Sequence, residues 1–221
     1  MNEFPPTERT TLHRLPKRGV YERETIYAIL DEALICHLGF VVADQPYVIP
    51  TIHVRLGETL YVHGSPASRM LKTLEQGVAV CATVTLVDGL VLARSAFHHS
   101  MNYRSAVIFG TAHVVTNAED KLRALHALSD HLIKGRWPEV RGPSPEELKG
   151  TVVLSLPINE ASAKVRTGPP ADDDEDYALP VWAGVLPLKL TAGEPVADPR
   201  LAPATPLPSH ITDYHGPGPA S

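Results

Sequence analysis

Cysteine is almost missing from the 221-residue chain, which has only Cys36 and Cys81. Neither belongs to a Cys-x-x-Cys pair, so there is no disulfide framework. Two isolated thiols are expected to pack as small hydrophobes in a reducing compartment. Long apolar runs are missing as well. No stretch approaches the roughly 20 residues of a membrane-spanning helix. Met1-Asn2-Glu3-Phe4-Pro5-Pro6 has no basic region ahead of an apolar one, so a cytoplasmic protein with no membrane partner is expected. Nor is there an excess of base. The formal charge of −5 equals the run Asp172-Asp173-Asp174-Glu175-Asp176, outside which 20 acids face 20 bases. A neutral body gives no reason to expect nucleic acid, and the acidic run reads first as a solvated solubility element.

Proline is absent from one long interval. The chain has 21 prolines and none between Pro66 and Pro138, so regular structure should concentrate before residue 138. Hydrophobic residues at 43% and charged residues at 20% suit one large or two small globular domains. Residues 1–20 mix Pro, Thr and bases without a period and read as an N-terminal arm. Residues 21–160 form the body. Residues 161–196 read as an extension whose Val181–Leu188 segment packs back on it, and the Pro-rich residues 197–221 as a weakly ordered tail.

Ile26, Ile29, Leu30 and Ala33 follow helical spacing, which predicts a short helix ending near Ala33. Strand signals at 34–43, 47–55 and 59–63 are separated by Asp44-Gln45-Pro46 and Leu56-Gly57-Glu58. Links this short force antiparallel neighbours. A helix is expected over 67–75, with Ser65 as N-cap, Pro66 at the first position and Gly77 as the stop. Strands at 78–87 and 90–95 flank a hairpin turn at Asp88-Gly89, and another strand with a central Gly110 covers 104–115. Leu122, Leu125, Leu128 and Leu132 predict one face of a helix over 118–133, and residues 151–158 give the last strand. Six or seven antiparallel strands with two helices suggest a mainly β protein closed, or nearly closed, into a barrel.

Two stretches carry chemistry. In His63-Gly64-Ser65-Pro66-Ala67-Ser68-Arg69-Met70-Leu71-Lys72 a strand runs into a helix, and helix N-termini attract anions. Ser65 and Ser68 offer hydroxyls, and Arg69 and Lys72 share a face, so the stretch is either a phosphate site or a capped surface helix. Phe97-His98-His99-Ser100-Met101-Asn102-Tyr103-Arg104-Ser105 gathers groups that line pockets. Adjacent histidines on a strand point to opposite faces, and no His-x-x-x-His pattern accompanies them, so no metal site is expected. Neither a Gly-x-Ser-x-Gly elbow nor a dinucleotide or P-loop fingerprint occurs.

These motifs in this order, with Tyr103-Arg104-Ser105 leading to Phe109-Gly110-Thr111-Ala112, resemble the pyridoxamine 5′-phosphate oxidase-like flavin-binding split β-barrel family. Within it the likeness is to the nitroimidazole-reductase-like branch. It runs from about Leu12 to Ile158, and Val181–Leu188 echoes the family's C-terminal segment. The resemblance implies an FMN-binding split β-barrel with a Greek-key-like antiparallel sheet. It also implies a homodimer with non-covalent FMN at each subunit interface. Ser68, Arg69 and Lys72 match the family's phosphate segment. Pro50, Thr51, Ile52 and His53 would run along the flavin ring, with Thr83, Val84 and Thr85 on a neighbouring strand. Tyr103, Arg104 and Ser105, with His98 and His99, would reach the cofactor from the other subunit. His63 matches a histidine close to the flavin, as proton donor or as a structural residue. The implied activity is reduction of a small aromatic or nitro-type molecule, with a reductant such as NAD(P)H. The alternative is a non-catalytic flavin-, haem- or deazaflavin-binding protein for storage or sensing. The basic C-terminal residues that would hold pyridoxamine phosphate are not apparent.

Overall fold

Strands that bury every second side chain need a shared interior, and this chain supplies one by bending its sheet until it meets itself. The computed structural model describes residues 2–217. In chain order its elements are β1 (Gly19–Val20), α1 (Arg23–Glu32), β2 (Ile35–Val42), β3 (Gln45–Leu56), β4 (Thr59–Gly64) and α2 (Arg69–Leu74). There follow β5 (Ala79–Leu92), β6 (Ser100–Thr111), β7 (His113–Val114), α3 (Ala118–Leu132), α4 (Pro145–Lys149), β8 (Val152–Pro157), β9 (Glu160–Arg166), β10 (Gly184–Pro187) and α5 (Ser209–Thr212). The sheet is antiparallel, ordered β1-β9-β6-β5-β2-β3-β4-β8-β7, with β10 added to the far end of β5.

Two long strands close the barrel. β3 pairs with β2 over Gln45–Ile52 and with β4 over His53–Leu56. β6 pairs with β5 and β9, and its continuation β7 pairs with β8. Gly110 permits the approach, since a Cβ there would lie 2.9 Å from Leu156 Cδ1. Leu38, Phe40, Leu60, Val62, Val80, Ala82, Ile108, Leu154 and Leu156 fill the interior. The space left among them is a cavity of about 10 Å³. No cofactor fits inside, so the barrel must bind on its outside.

Helix α1 stops one end with Ile26, Ile29 and Leu30, joined by Phe4 from the N-terminal arm. The Arg23 guanidinium lies 4.1 Å from the Phe4 ring. Helix α3 covers the outer side of β3, packing Ala127 and Leu128 on Val54. Its buried stripe is Ala124, Ala127, Leu128 and His131, whereas Leu122 is 38% exposed. The stripe is thus rotated from the expected leucine face, because small residues let the helix lie close to the sheet.

Three further expectations change. No hairpin turn forms at Asp88-Gly89: β5 runs on through a bulge there, and Arg104 holds the displaced Asp88 carboxylate. The β2–β3 turn is Ala43-Asp44, both at positive φ (47° and 60°), so Pro46 joins the strand. β9 lies beyond the last expected strand, where Ala161 and Ala163 alternate inward with too little hydrophobic bulk to announce themselves. In the tail, α5 brings His210 Nδ1 to 3.6 Å from Glu139.

Two buried histidines tie α1 to its neighbours. His53 Nε2 lies 2.9 Å from Leu30 O and His131 Nε2 2.9 Å from Ala33 O, with the rings 5.5 Å apart. Burial pushes the His53 pKa from 6.5 down to about 4; the Leu30 carbonyl opposes this and His131 adds to it. The unfolded chain therefore takes up a proton near pH 6.5 that the folded one refuses until about pH 4. Stability should accordingly fall by up to roughly 3 kcal/mol as pH drops through that window. Urea midpoints measured across it should show the decline, and His53→Gln, which keeps a donor for Leu30 O but cannot titrate, should flatten it.

Candidate functional site

Helix α2 has six residues, too few to persist alone in water. It stands because Met70, Leu71 and Leu74 enter the barrel core, each burial worth about 2 kcal/mol. That anchoring leaves Arg69 and Lys72, three apart, on the exposed side. The Arg69 guanidinium lies 5.4 Å from the Tyr47 ring, which stacks on Phe40. The helix begins later than expected. Ser65 holds a turn, its Oγ accepting from Ala67 N at 3.2 Å and its carbonyl from Ser68 N at 2.9 Å. Extended Ser68 is the N-cap, and its hydroxyl makes no capping bond. Ser68, Arg69 and Lys72 thus present a hydroxyl and two cations that no carboxylate among the described residues engages, as an anion site requires.

His63 sits at the end of β4 opposite Val153, half-buried. Desolvation lowers its pKa, so the imidazole is neutral at pH 7. Its Nδ1 is buried with no hydrogen-bond partner. An orphaned lone pair costs less than an orphaned N–H, which assigns the proton to Nε2.

Register places the other expected residues. Pro50 and Thr83 both lie opposite His37, Thr85 opposite Ser105, and Val87 opposite Tyr103. Pro50, Thr83, Thr85, Tyr103 and Ser105 therefore share the outer face of the sheet. Ile35, Val41, Val48 and Val87 surround them, 49%, 55%, 64% and 43% exposed.

Most of the remaining residues lie elsewhere. Val84 points into the barrel and is buried. His53 is fully buried beneath α1, so its ring cannot meet a flavin. Thr51 is half-buried on the other face of β3, its hydroxyl 3.4 Å from Ile52 O, whereas Ile52, opposite Ile35, stays on the outer face with Pro50 and packs toward α3 at its edge. Arg104 leaves its neighbours on the outer face and pairs with Glu32 and Asp88, whose hydrogen bonds raise its pKa. It lines an open cleft of about 1040 Å³ bordered by residues 187–192 and 214–217. His98 and His99 belong to the β5–β6 loop: His99 Nδ1 accepts from Ala93 N at 3.0 Å, and His98 Nε2 lies 3.3 Å from Asp173.

The acidic run is more than a solvated segment. The Asp172 carboxylate is buried and accepts from Arg94 N at 2.9 Å, Arg94 Nη1 at 3.0 Å and Ser95 N at 3.4 Å. Burial pushes its pKa up, but these bonds outweigh that and hold it below the ordinary value. Composition cannot distinguish this one clamp from the four acids beside it. Lys164 and Arg166, opposite Ser105 and Tyr103, were also missed, because β9 was not recognised as a strand.

Residues 22–165 match the protein family described as Pyridoxamine 5′-phosphate oxidase. The flavocytochrome Anf3 of Azotobacter vinelandii is 43% identical, covering 94% of this chain and 96% of its own, with a TM-score of 0.88. An FAD and haem binding protein of Mycobacterium smegmatis is 37% identical, covering 90% and 98%, with a TM-score of 0.87. A candidate 5-nitroimidazole antibiotic resistance protein of Bacteroides thetaiotaomicron is 25% identical, covering 66% and 86%, with a TM-score of 0.57. No curated protein sequence matches the chain. No helix among the described residues is long and apolar enough to cross a membrane.

If Asp172 clamps the loop as its bonds indicate, Asp172→Ala should free residues 94–99. Limited trypsin digestion should then cut after Arg94 faster, on the order of tenfold, while the circular dichroism of the barrel stays unchanged.

Proposed function

Because the chain belongs to the pyridoxamine 5′-phosphate oxidase family of flavin-binding split barrels, we propose that it is an oxidoreductase of the flavocytochrome kind, carrying flavin and haem. The observation that carries this reading is coverage. The likeness to the flavocytochrome extends over 94% of the chain, well beyond the family match at 22–165, whereas the nitroimidazole-resistance relative covers 66%. The name of the Mycobacterium smegmatis relative favours FAD over the FMN expected from sequence. The packed barrel interior and the exposed apolar outer face support a homodimer with the cofactors between its subunits.

When bound, flavin takes two electrons from a reductant such as NAD(P)H and haem passes electrons singly. Ser68, Arg69 and Lys72 hold the flavin's phosphate end. The outer face around Pro50, Thr83 and Thr85 orients the ring and excludes water. His63 would suit haem, because iron takes a neutral imidazole through Nε2 once the ring proton moves to Nδ1; a proton for a reduced substrate would come from its imidazolium, the minor form at pH 7. Reduction of a nitro-type acceptor is a second reading, favoured by the Bacteroides relative.

Arg69→Ala with Lys72→Ala should leave a folded protein that copurifies with less than about a tenth of the wild-type flavin, read at 450 nm after release. A full flavin complement would remove α2 from the site. His63→Ala should either abolish the Soret band, which makes His63 the iron ligand, or slow substrate reduction with the band intact, which makes it the proton donor. An unchanged band together with an unchanged rate takes His63 out of the function.

A further inference from the structure

Most buried or half-buried arginines here face a carboxylate: Arg23 faces Glu58, Arg55 faces Asp31, Arg94 faces Asp172, and Arg104 faces Glu32 and Asp88. Arg166 does not. It ends β9, is 8% exposed, and gives its hydrogen bonds only to neutral acceptors. Nη1 donates to Asn102 Oδ1 and, at 3.5 Å, to Gly168 O, and Nη2 to Pro169 O at 3.4 Å. Its Nε is buried with no partner. No ion pair to Arg166, Arg18 or Lys164 occurs among the described residues.

The nearest charges make the position worse. Burial lowers the Arg166 pKa and the neighbouring Arg18 guanidinium lowers it further. Lys164 precedes Arg166 by two residues, hence on the same face of β9, and lies opposite both Gly19 and Ser105. Tyr103 lies opposite Arg166. Three cations, a phenol and a hydroxyl therefore meet where β1, β9 and β6 adjoin, with no counter-charge. A buried guanidinium in that state is costly, and an oxyanion ligand offsets the cost for all three cations.

We propose that Arg166, Arg18 and Lys164 form an anion site that takes the phosphate groups of an organic diphosphate ester. The planar guanidinium fork matches phosphate oxygens, and three positive charges suit a diphosphate better than a single carboxylate. In one protomer this site is separate from Arg69 and Lys72. Gly77, just past α2, lies beside Thr111, since a Cβ on it would be 3.8 Å from Thr111 Cγ2, and Thr111 is eight residues along β6 from Tyr103, about 26 Å at strand spacing. The three cations lie together without a counter-charge whether the barrel carries FMN or FAD. The diphosphate belongs either to a dinucleotide cofactor or to a free nucleotide.

The test is calorimetric titration of the purified protein with inorganic pyrophosphate in chloride buffer, alongside the flavin content. The variants are Arg166→Gln and the double change Arg18→Gln with Lys164→Gln. The double change leaves every Arg166 hydrogen bond in place and decides the matter if Arg166→Gln fails to fold. Binding of pyrophosphate weakened about tenfold in the double variant, at constant flavin content, supports a free nucleotide as the source. Wild-type protein that refuses pyrophosphate, while the double variant copurifies with less flavin, supports the cofactor as the source. Equal pyrophosphate binding in wild type and variant, or no binding with unchanged flavin, overturns the site. Wild-type protein lacking flavin altogether would defeat the flavocytochrome reading, yet the pyrophosphate titration would still decide this one.

Discussion

Closure of the sheet is the constraint on which the rest depends. β3 serves two neighbours and the β6–β7 strand three, and the passage from one neighbour to the next along each brings the sheet back on itself. A barrel this small is filled by its own side chains, down to a void of about 10 Å³. Every functional group is therefore displaced outward, to the rim or the outer face. The helices follow from the same demand: α1 and α2 stop the open ends with apolar residues, and α3 shields part of β3. What α3 leaves uncovered is the apolar face of β2, β3 and β5, with Pro50, Thr83 and Thr85 set into it.

Charge separates structure from function on this scaffold. Arg55 with Asp31, Arg104 with Glu32 and Asp88, and Arg94 with Asp172 are matched pairs that fix α1, the bulge in β5 and the hairpin loop. Arg69 and Lys72 on α2, and Arg18, Lys164 and Arg166 on the β1–β9 edge, have no such match among the described residues. Unmatched cations held in place by packed elements are what an anionic cofactor needs. His63 contributes the complementary property, a neutral imidazole at pH 7.

Much of the barrel was legible because its strands announce themselves by alternation and its turns by Gly and Pro. The grouping of Ser68, Arg69 and Lys72 was legible because the three keep their spacing whatever the exact start of α2. Three things were hidden. β9 buries only alanines on its inner face, so its hydrophobic signal is faint and Arg166 went unread. His53 looks like any strand histidine until α1 folds over it and Leu30 O accepts a hydrogen bond from its Nε2. Arg104 follows Tyr103 in sequence but points to the other side of the sheet, toward two carboxylates far away along the chain. Periodicity reports which face a residue takes, and it is silent on what another segment lays against that face.

In the proposed function the outside of this barrel carries both a flavin and a haem. The most direct measurement is the visible spectrum of the purified protein, followed through anaerobic reduction by NADPH. The account predicts flavin absorption near 450 nm together with a Soret band, both changing as electrons enter. A spectrum with flavin bands alone, whose reduction leaves no haem signal at any point, would contradict it.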